Sequence, residues 1–246
     1  MSRFSQIRRV ETTGSTNDDV AKILGEDASR GLTFVADYQT HGAGRKGRSW
    51  IAPPGSALLF TTALPDPIPS AQLWIVPFWI GLAVHEALAQ FGVTTQLQWP
   101  NDVLFGSSKV AGILCVSRVA GDDAWAACGV GINVKRPENS DDIAGIEPPP
   151  AFISDVRGVD RDELLQAILR QADASYGDLA SPPKIASAWE SAAGIPGARY
   201  RLRLDGAQAS FEATALALGK AGELVVDVAG SQRVIAMADA RVMRGA

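Results

Sequence analysis

The segment Gly42–Arg48 concentrates positive charge in a chain whose formal net charge is -4. Its sequence, GAGRKGR, brings Arg45, Lys46 and Arg48 close together. The glycines leave backbone N–H groups accessible to a ligand, and the cations can neutralise phosphate oxygens. The segment matches neither the Walker loop nor the Rossmann turn. It is therefore predicted to be either a loop that closes over a phosphate or a solvated basic loop.

A second candidate is the segment Trp99–Asp102, whose sequence is WPND. Pro100 restrains the backbone ahead of an amide and a carboxylate. Asn101 can read the edge of a base, and Asp102 can hold a magnesium ion. The alternative is an ordinary turn at the end of a strand, where Asn and Asp are frequent.

A predicted hairpin brings two further polar residues together. The apolar, β-branched runs Val110–Ala120 and Ala124–Val134 flank a Gly-Asp-Asp turn. Antiparallel pairing around this turn places Lys109 opposite about Val134, so Lys109 and Asn133 lie at one end of the hairpin. A lysine there can pair with a carboxylate or phosphate at the rim of a pocket. The alternative is a surface lysine at the start of a strand.

The same register has consequences inside the hairpin. Gly112 permits close approach of a ligand to the strand. Cys115 lies opposite Cys128, and we expect both thiols to be reduced because disulfides are rare in the cytosol. His41 and His85 share no metal-ligand spacing with each other or with the cysteines, so no zinc site is predicted.

The remaining pattern predicts the elements that position these residues. Ser15 begins a helix, with Asp18 completing a capping-box pattern. Short alternating segments separated by glycines begin at Ile195 and suggest a small β-barrel-like unit. Further elements are predicted as strands at 32–39 and 56–64, and as helices at 72–91, at about 161–179 with Asp160 as its cap, and around Trp189.

The composition indicates a packed globular protein. The chain has 246 residues, of which 46% are hydrophobic and 20% charged, which suits one large domain or a domain with a small appendage. Its two cysteines exclude a disulfide scaffold and a four-cysteine zinc site. No apolar region follows the basic N-terminus, and the longest uncharged apolar stretch, Leu73–Val84, is shorter than a membrane span. We expect a soluble, cytoplasmic protein.

Five features, in this order and spacing, resemble the biotin protein ligases, or biotin–[acetyl-CoA-carboxylase] ligases. They are Ser15-Thr16-Asn17, Tyr38-Gln39 leading into Gly42–Trp50, Trp99–Asp102, Lys109–Leu114 and Gly129–Asn133. The resemblance covers about residues 10–135 strongly and the remainder by layout. It implies an α/β (α+β) fold, in which a mixed sheet with flanking helices, related to class II synthetases and lipoyl ligases, precedes an SH3-like barrel. The expected domains are 1–194, which carries catalysis, and 195–246.

The resemblance implies a reaction in two steps. Biotin attacks the α-phosphate of ATP, in the presence of Mg²⁺, to give biotinyl-5′-AMP and pyrophosphate. A lysine of a biotin carboxyl carrier domain of a biotin-dependent carboxylase then attacks the mixed anhydride and releases AMP. Cations and Mg²⁺ can offset the repulsion between the two anions, and a mobile glycine-rich lid can shield the adenylate from water.

The resemblance also implies roles for individual residues. Catalysis is assigned to Lys109, Arg45 and Asp102, the last as a magnesium ligand or as the base for the incoming lysine. Biotin is expected to contact Ser15, Thr16, Asn17, Gln39, Gly42, Ala43, Gly44, Arg45, Lys109 and Gly112. ATP and the adenylate are expected to contact Arg45, Lys46, Arg48, Trp50, Asn101, Asp102, Lys109, Gly131 and Asn133.

The chain departs from the family pattern in three places. Ala43 replaces the first arginine of the common Gly-Arg-Gly-Arg-x-Gly-Arg loop, which predicts weaker retention of the adenylate. Gln98 stands where a lysine often precedes Trp-Pro-Asn-Asp. The glycine-containing signature of the C-terminal region is eroded in Phe211–Leu224.

Partners and rival functions complete the expectations. Only 14 residues precede Ser15, too few for the DNA-binding winged helix of some family members, so we expect a monofunctional ligase without DNA or membrane partners, as a monomer or weak homodimer. The nearest rival is a lipoate– or octanoate–protein ligase, which shares the catalytic architecture. A non-catalytic biotin or adenylate sensor is a second rival, and an unrelated globular protein a third.

Overall fold

The computed structural model describes residues 2–143, Ile146 and residues 149–243. Its α-helices are α1 (Thr16–Ile23), α2 (Val76–Gln90), α3 (Arg161–Ala174) and α4 (Pro182–Ala193). The strands of the first sheet are β1 (Gln6–Thr13), β2 (Leu32–Gln39), β3 (Ala57–Ala63), β4 (Ile68–Pro69), β5 (Gln96–Gln98), β6 (Asp102–Phe105), β7 (Ser108–Ala120) and β8 (Asp123–Asn133). Those of the second are β9 (Arg199–Leu204), β10 (Phe211–Leu218), β11 (Leu224–Val228), β12 (Ser231–Ile235) and β13 (Ala240–Met243).

The first sheet is mixed, as expected. Its strand order is β1-β2-β3-β8-β7-β6-β5, and β4 pairs with β8 outside this path. Strands β1 and β2 are parallel, whereas the other pairs are antiparallel. Helix α2 contacts β5, β6, β7 and β8, so the long apolar helix covers the half of the sheet that contains the predicted hairpin.

The hairpin has the predicted register. Cys115 pairs with Cys128, and Gly112 pairs with Gly131. The two cysteines are free thiols whose sulfur atoms lie 3.3 Å apart. Burial is the main reason that the pKa of the Cys128 thiol lies well above its ordinary value, so this thiol stays protonated and unreactive as long as the core is closed.

Helix α1 starts where predicted but without the predicted capping box. Ser15 occupies the N-cap position, yet its side chain makes no capping hydrogen bond. Instead the side chain of Asp19, in the first turn, accepts a hydrogen bond from the Thr13 hydroxyl. The capping-box prediction is therefore wrong at Ser15 and Asp18, because Ser15 is buried against the cavity described below rather than turned toward its own helix.

The predicted helix at 72–91 divides into two parts. Residues Ser70–Ile75 form a 3-10 helix, and α2 follows with Pro77 in its first turn, where a missing N–H costs least. By length and mean hydropathy alone, the 21 residues Ser70–Gln90 would reach across a membrane, contrary to the expectation from Leu73–Val84. Phe78, Trp79 and Ile80 are fully buried in the core, however, so this segment is the central helix of the fold.

Helix α3 begins as the sequence indicates and ends earlier. The side chain of Asp160 accepts hydrogen bonds from the N–H groups of Asp162 and Glu163, at 2.8 and 3.0 Å, which confirms the predicted cap. The helix ends at Ala174 rather than near residue 179, and a 3-10 helix, Tyr176–Ala180, replaces its expected last turn.

The alternating C-terminal segments form a separate antiparallel sheet in the order β12-β11-β10-β9-β13. This sheet packs on the turn before β6. The indole of Trp99 donates a hydrogen bond to the carbonyl of Gly222 at 2.9 Å, and its backbone N–H donates to the Tyr200 hydroxyl at 3.2 Å. Burial raises the pKa of Tyr200 to about 12. The contacts of Trp99 fix the C-terminal sheet next to the WPND segment.

Candidate active site

A cavity of about 860 Å³ lies where the two sheets meet the basic loop Gly42–Arg48. Most of the residues predicted for the site line it. They are Ser15, Thr16, Asn17, Gln39, Ala43, Gly44, Arg45, Arg48, Trp50, Asn101, Lys109, Gly112, Gly131 and Asn133. Gly42, Lys46 and Asp102 do not line the cavity in the part of the chain that the structure describes. Gly42 contacts Trp50 and Asp102 contacts Lys109, both of which line it, whereas Lys46 bonds to Asp205 outside the lining.

One end of the cavity is a buried set of neutral hydrogen-bonding groups. The Gln39 side-chain oxygen accepts from the Thr16 N–H at 2.7 Å and from the Thr16 hydroxyl at 2.9 Å. The Thr61 hydroxyl lies 2.8 Å from that of Thr16 and 2.9 Å from Asn17 Oδ1, and the amide of Asn17 donates to the Leu114 carbonyl at 3.0 Å. These bonds fix the direction of each polar group, as recognition of an uncharged polar ring requires.

Thr61 was not predicted from the sequence. It lies in β3, a strand whose seven residues are all buried, and so offers the pattern of an ordinary core strand. Only the packing of α1 against β3 shows that the Thr61 hydroxyl supports Thr16 and Asn17.

Glycines form the floor of the cavity. A Cβ atom at Gly131 would lie 2.6 Å from Trp50, and one at Gly112 would lie 2.5 Å from the ammonium of Lys109. At Gly129, a Cβ would lie 2.3 Å from Asn17 Oδ1. These distances are shorter than real Cβ contacts, so only glycine lets the side chains above approach the strands.

Trp50 lies on this floor. Within the described residues its indole nitrogen is buried and has no hydrogen-bond acceptor. Such a buried donor is costly unless something accepts from it. A polar ligand atom in the cavity can do so, which fits the expectation that Trp50 forms a wall of the site.

Lys109 and Asp102 form an ion pair beside the glycine floor. The Lys109 ammonium lies 2.6 Å from Asp102 Oδ1, and the side chains are only 24% and 14% exposed, respectively. The ammonium also lies 5.1 Å from the centre of the Trp50 ring. A carboxylate on one side and an aromatic ring on the other hold the charge in one place at the cavity wall.

The basic loop is hydrogen-bonded to the WPND segment on one side and to the C-terminal region on the other. The guanidinium of Arg45 donates to the Asn101 side chain at 3.3 Å and, by a very short contact, to the Met237 carbonyl. Burial lowers the pKa of Arg45 from its ordinary value, but a guanidinium remains charged near neutral pH. Lys46 donates to Asp205 at 2.6 Å and to the Ala240 carbonyl at 3.2 Å. This bond to Lys46 is the main reason that the pKa of Asp205 is lowered.

The two predicted asparagines use their amide nitrogens to hold backbone. Asn101 donates to the Ile113 carbonyl, and Asn133 donates to the carbonyls of Ala151 at 3.1 Å and Lys109 at 3.4 Å. Each side chain thus fixes a neighbouring segment at the edge of the cavity. The amide oxygen of Asn101 accepts from Arg45, and that of Asn133 is a group that can contact a ligand.

The charge of the cavity is strongly one-sided. Among the described residues that line it, none is Asp or Glu, whereas the cations are Arg45, Arg48, Lys109, Arg203 and Arg241. Sequence reasoning did not select the last two. For Arg203 the signal was the arginine at every second position in Arg199–Leu204, which places those side chains on one face of a strand; Arg241, in the segment Ala240–Met243, has no such pattern around it.

The described residues contain no group of three or more His, Cys, Asp or Glu side chains that could hold a metal ion. Mg²⁺ bound to a nucleotide takes most of its ligands from phosphates and water, so a dedicated protein cage is not required. Together, the cationic wall and the neutral hydrogen-bonding end suit a cavity that brings two anionic groups into contact, one of which is joined to a polar, uncharged ring.

The comparisons agree with this geometry. The model of the biotin/lipoate A/B protein ligase family matches residues 9–133. A biotin–[acetyl-CoA-carboxylase] ligase of Mycobacterium tuberculosis is 30% identical over 97% of this chain and 89% of its own length. One of Paracoccus denitrificans is 34% identical over 63% of this chain and 67% of its own.

Solved structures show the same fold. The biotin protein ligase from Aquifex aeolicus, in complex with biotin and ATP, has a TM-score of 0.78 at 24% identity, covering 98% of this chain and all of the other. That structure supports the fold alone, since its identity is low. The family model and the relative from Mycobacterium tuberculosis together establish that the chain belongs to the biotin/lipoate A/B protein ligase family.

Proposed function

We propose that the chain is an ATP-dependent biotin–protein ligase. It activates biotin as biotinyl-5′-AMP and transfers the biotinyl group to a lysine of a biotin carboxyl carrier domain. The observation that carries this proposal is the division of one cavity into a buried, neutral hydrogen-bonding end and a wall that bears cations without any acidic side chain among its described residues. The ligase names of the relatives support the same reaction.

The first step needs two anions to meet. A carboxylate oxygen of biotin attacks the α-phosphorus of Mg-ATP, and the bond from that phosphorus to the pyrophosphate oxygen breaks. Lys109, Arg45 and Arg48 stabilise the charge that builds up on the phosphoryl oxygens. Lys109 is already fixed by Asp102 and Arg45 by Asn101, so these two cations need little reorganisation when the charge develops.

The second step releases AMP. The amine of the acceptor lysine, having lost a proton, attacks the acyl carbon of the mixed anhydride, and the bond from that carbon to the phosphate oxygen breaks. The short contact between Lys109 and Asp102 favours a positioning role for Asp102 over the roles of magnesium ligand or base. Mg²⁺ then enters with ATP as part of the substrate.

The neutral end of the cavity favours biotin over lipoate. Biotin carries a ureido ring with two N–H donors and a carbonyl acceptor, which suits Thr16, Asn17 and Gln39, all of which line the cavity. The dithiolane ring of lipoate has no such groups, so its binding would leave buried polar atoms unpaired. We therefore assign Ser15, Thr16, Asn17 and Gln39 to the biotin head group, with Gly112 beneath it. Gly131 lies against Trp50 and is assigned with it to the nucleotide.

The remaining residues of the site form the nucleotide end. We assign Asn101, Asn133 and Trp50 to the nucleotide. In the basic loop, Ala43 and Gly44 supply backbone groups to the ligand, and Gly42 and Lys46 support the loop from outside the cavity lining. The division into residues 1–194 and 195–246, the cytoplasmic location, a monomer or weak dimer, and the absence of DNA and membrane partners also remain proposals.

The test is intact-mass spectrometry of a biotin carboxyl carrier domain incubated with this protein, Mg-ATP and biotin. A parallel reaction contains lipoate and a lipoyl domain. We expect a gain of one biotinyl group on a single lysine, dependent on ATP. A gain only with lipoate would reassign the substrate. Binding of biotin without any gain would identify a sensor instead.

A further inference from the structure

Two arginines of the C-terminal sheet face the cavity side by side. Arg241 in β13 is the register partner of Arg203 in β9, and both residues line the cavity. Directly opposed residues on antiparallel strands have Cβ atoms about 5 Å apart. The sheet therefore presents two guanidinium groups as a pair at this wall.

The described part of the chain balances the charge of this pair only in part. Asp205 Oδ1 lies 3.5 Å from Arg241 Nε, but the same carboxylate also binds Lys46 at 2.6 Å. Within the described residues Arg203 makes no ion pair or side-chain hydrogen bond. Lys46 and Arg241 thus share one carboxylate, Arg203 adds a third positive charge beside them, and like charges placed opposite each other on strands are destabilising. A bound anion would remove this repulsion.

We propose that Arg203 and Arg241 bind the pyrophosphate part of ATP, opposite Arg45 and Arg48 of the basic loop. This inference rests on the proposed function and adds a second phosphate-binding wall to it. The loop and the C-terminal sheet then hold the same polyphosphate from two sides. Arginine suits this task because its planar fork can donate two hydrogen bonds to one phosphate group.

The link between the two walls is already present. Lys46 in the loop and Arg241 in the sheet share Asp205, and Lys46 also donates to the Ala240 carbonyl. The two phosphate-binding walls are therefore held at a defined separation. The C-terminal sheet thus contributes directly to nucleotide affinity.

The experiment measures the binding of inorganic pyrophosphate, and of a non-hydrolysable ATP analogue, by calorimetry without biotin or acceptor. The test variant is R203Q/R241Q. The matched control is R201Q, because Arg201 lies on the same face of β9 but is exposed and bonded to Ser210. We expect the dissociation constants of both ligands to rise about tenfold or more in R203Q/R241Q, and to stay unchanged in R201Q. Biotin affinity should be unchanged in both.

Several results would overturn the proposal. They are pyrophosphate affinity equal to that of the wild type in R203Q/R241Q, an equal loss in R201Q, or no binding to the wild type. If the double glutamine variant fails to fold, R203K/R241K replaces it. This variant keeps both charges, so we expect it to retain part of the pyrophosphate affinity. Full retention would contradict recognition by the guanidinium fork. Failure of the proposed function is seen separately, as an absence of biotinyl transfer by the wild type in the mass-spectrometry test.

Discussion

The ammonium of Lys109 lies 2.6 Å from the carboxylate of Asp102, across the adjacent strands β7 and β6. Both side chains are largely shielded from water, so the attraction between them is stronger than at an exposed surface. Asp102 thereby aims a cation at the cavity without lining it. The relationship explains how a carboxylate can serve a site that binds anions.

Replacement of Lys109 is the most direct test of the catalytic assignment. We expect Lys109→Ala to lower the rate of biotinyl-AMP formation by about 10²–10³-fold, the range for loss of one preorganised group that stabilises transition-state charge. The matched control is Lys135→Ala, because the Lys135 side chain is 69% exposed and its ion pair with Glu138 is long, at 3.8 Å. Single-turnover formation of the adenylate is the measurement. Adenylation at the parental rate would remove Lys109 from the mechanism.

The hydroxyl of Thr61 provides a test of the biotin end. Thr61→Val keeps the shape of the side chain but removes the partner of Thr16 and Asn17, at a cost of about 1–3 kcal/mol. We expect weaker biotin binding in calorimetry. Thr62→Val is the control, since Thr62 is equally buried in β3 but bonds to Thr33 at 3.0 Å. Both variants should melt earlier, and only the first should lose biotin affinity. Equal affinity in both would show that the Thr61 network does not recognise the ligand.

The glycine floor predicts a steric effect. Gly112→Ala adds a Cβ that would lie 2.5 Å from Lys109 and 2.9 Å from Trp50, so both side chains must move. We expect biotin affinity to fall about tenfold or more, because overpacking a tight site costs about 1–3 kcal/mol. Gly158→Ala is the control, because nothing lies within 4 Å of a Cβ there. Unchanged biotin binding by Gly112→Ala would mean that the ligand does not use this floor.

Ala43 tests retention of the adenylate. Ala43 belongs to the basic loop and lines the cavity, and an arginine there would add a cation to the wall. We expect Ala43→Arg to slow the release of biotinyl-AMP, as measured by stopped-flow displacement. Ala43→Gln, which adds length without charge, is the control. The same release rate in all three proteins would show that residue 43 does not contact the adenylate.

The half-buried histidine of α2, His85, predicts a loss of stability in acid. Burial lowers the pKa of His85 below its ordinary value of 6.5, and its ring nitrogen lies 2.8 Å from the Thr95 hydroxyl. The unfolded chain therefore takes up a proton more readily than the folded one. The stabilising contribution of neutral His85 is present above pH 6.5 and declines as the pH falls through that value toward the folded-state pKa. Urea unfolding across this range should show it, and His85→Gln should flatten that part of the curve. An unchanged slope in the variant would contradict this origin.

Local patterns determined much of the fold in advance. A single turn fixes the hairpin, because each step away from it pairs the next residues, and the observed partnership of Cys115 with Cys128 follows from counting. Asp160 caps α3 because its partners are two and three residues away. The clustering of Arg45 with Arg48 likewise needed only the sequence.

Other features were decided by tertiary contacts. Ser15 has the residue type of a helix cap, but its burial at the cavity overrides the local preference. Thr61 looks like a core residue until α1 is laid against β3. Arg203 and Arg241 lie far from the basic loop in sequence, and they reach its cavity only because the C-terminal sheet packs on Trp99.

The physical reason for this division is the range of the interactions. The sequence determined hydrogen-bond registers, a helix cap and local charge, each of which depends on residues near one another along the chain. The cavity, the Lys109–Asp102 contact and the one-sided charge of its wall depend on separate elements meeting. The contacts between these elements are driven by burial of apolar surface, which is a non-directional interaction. Only the packed structure therefore decides which polar groups face one another.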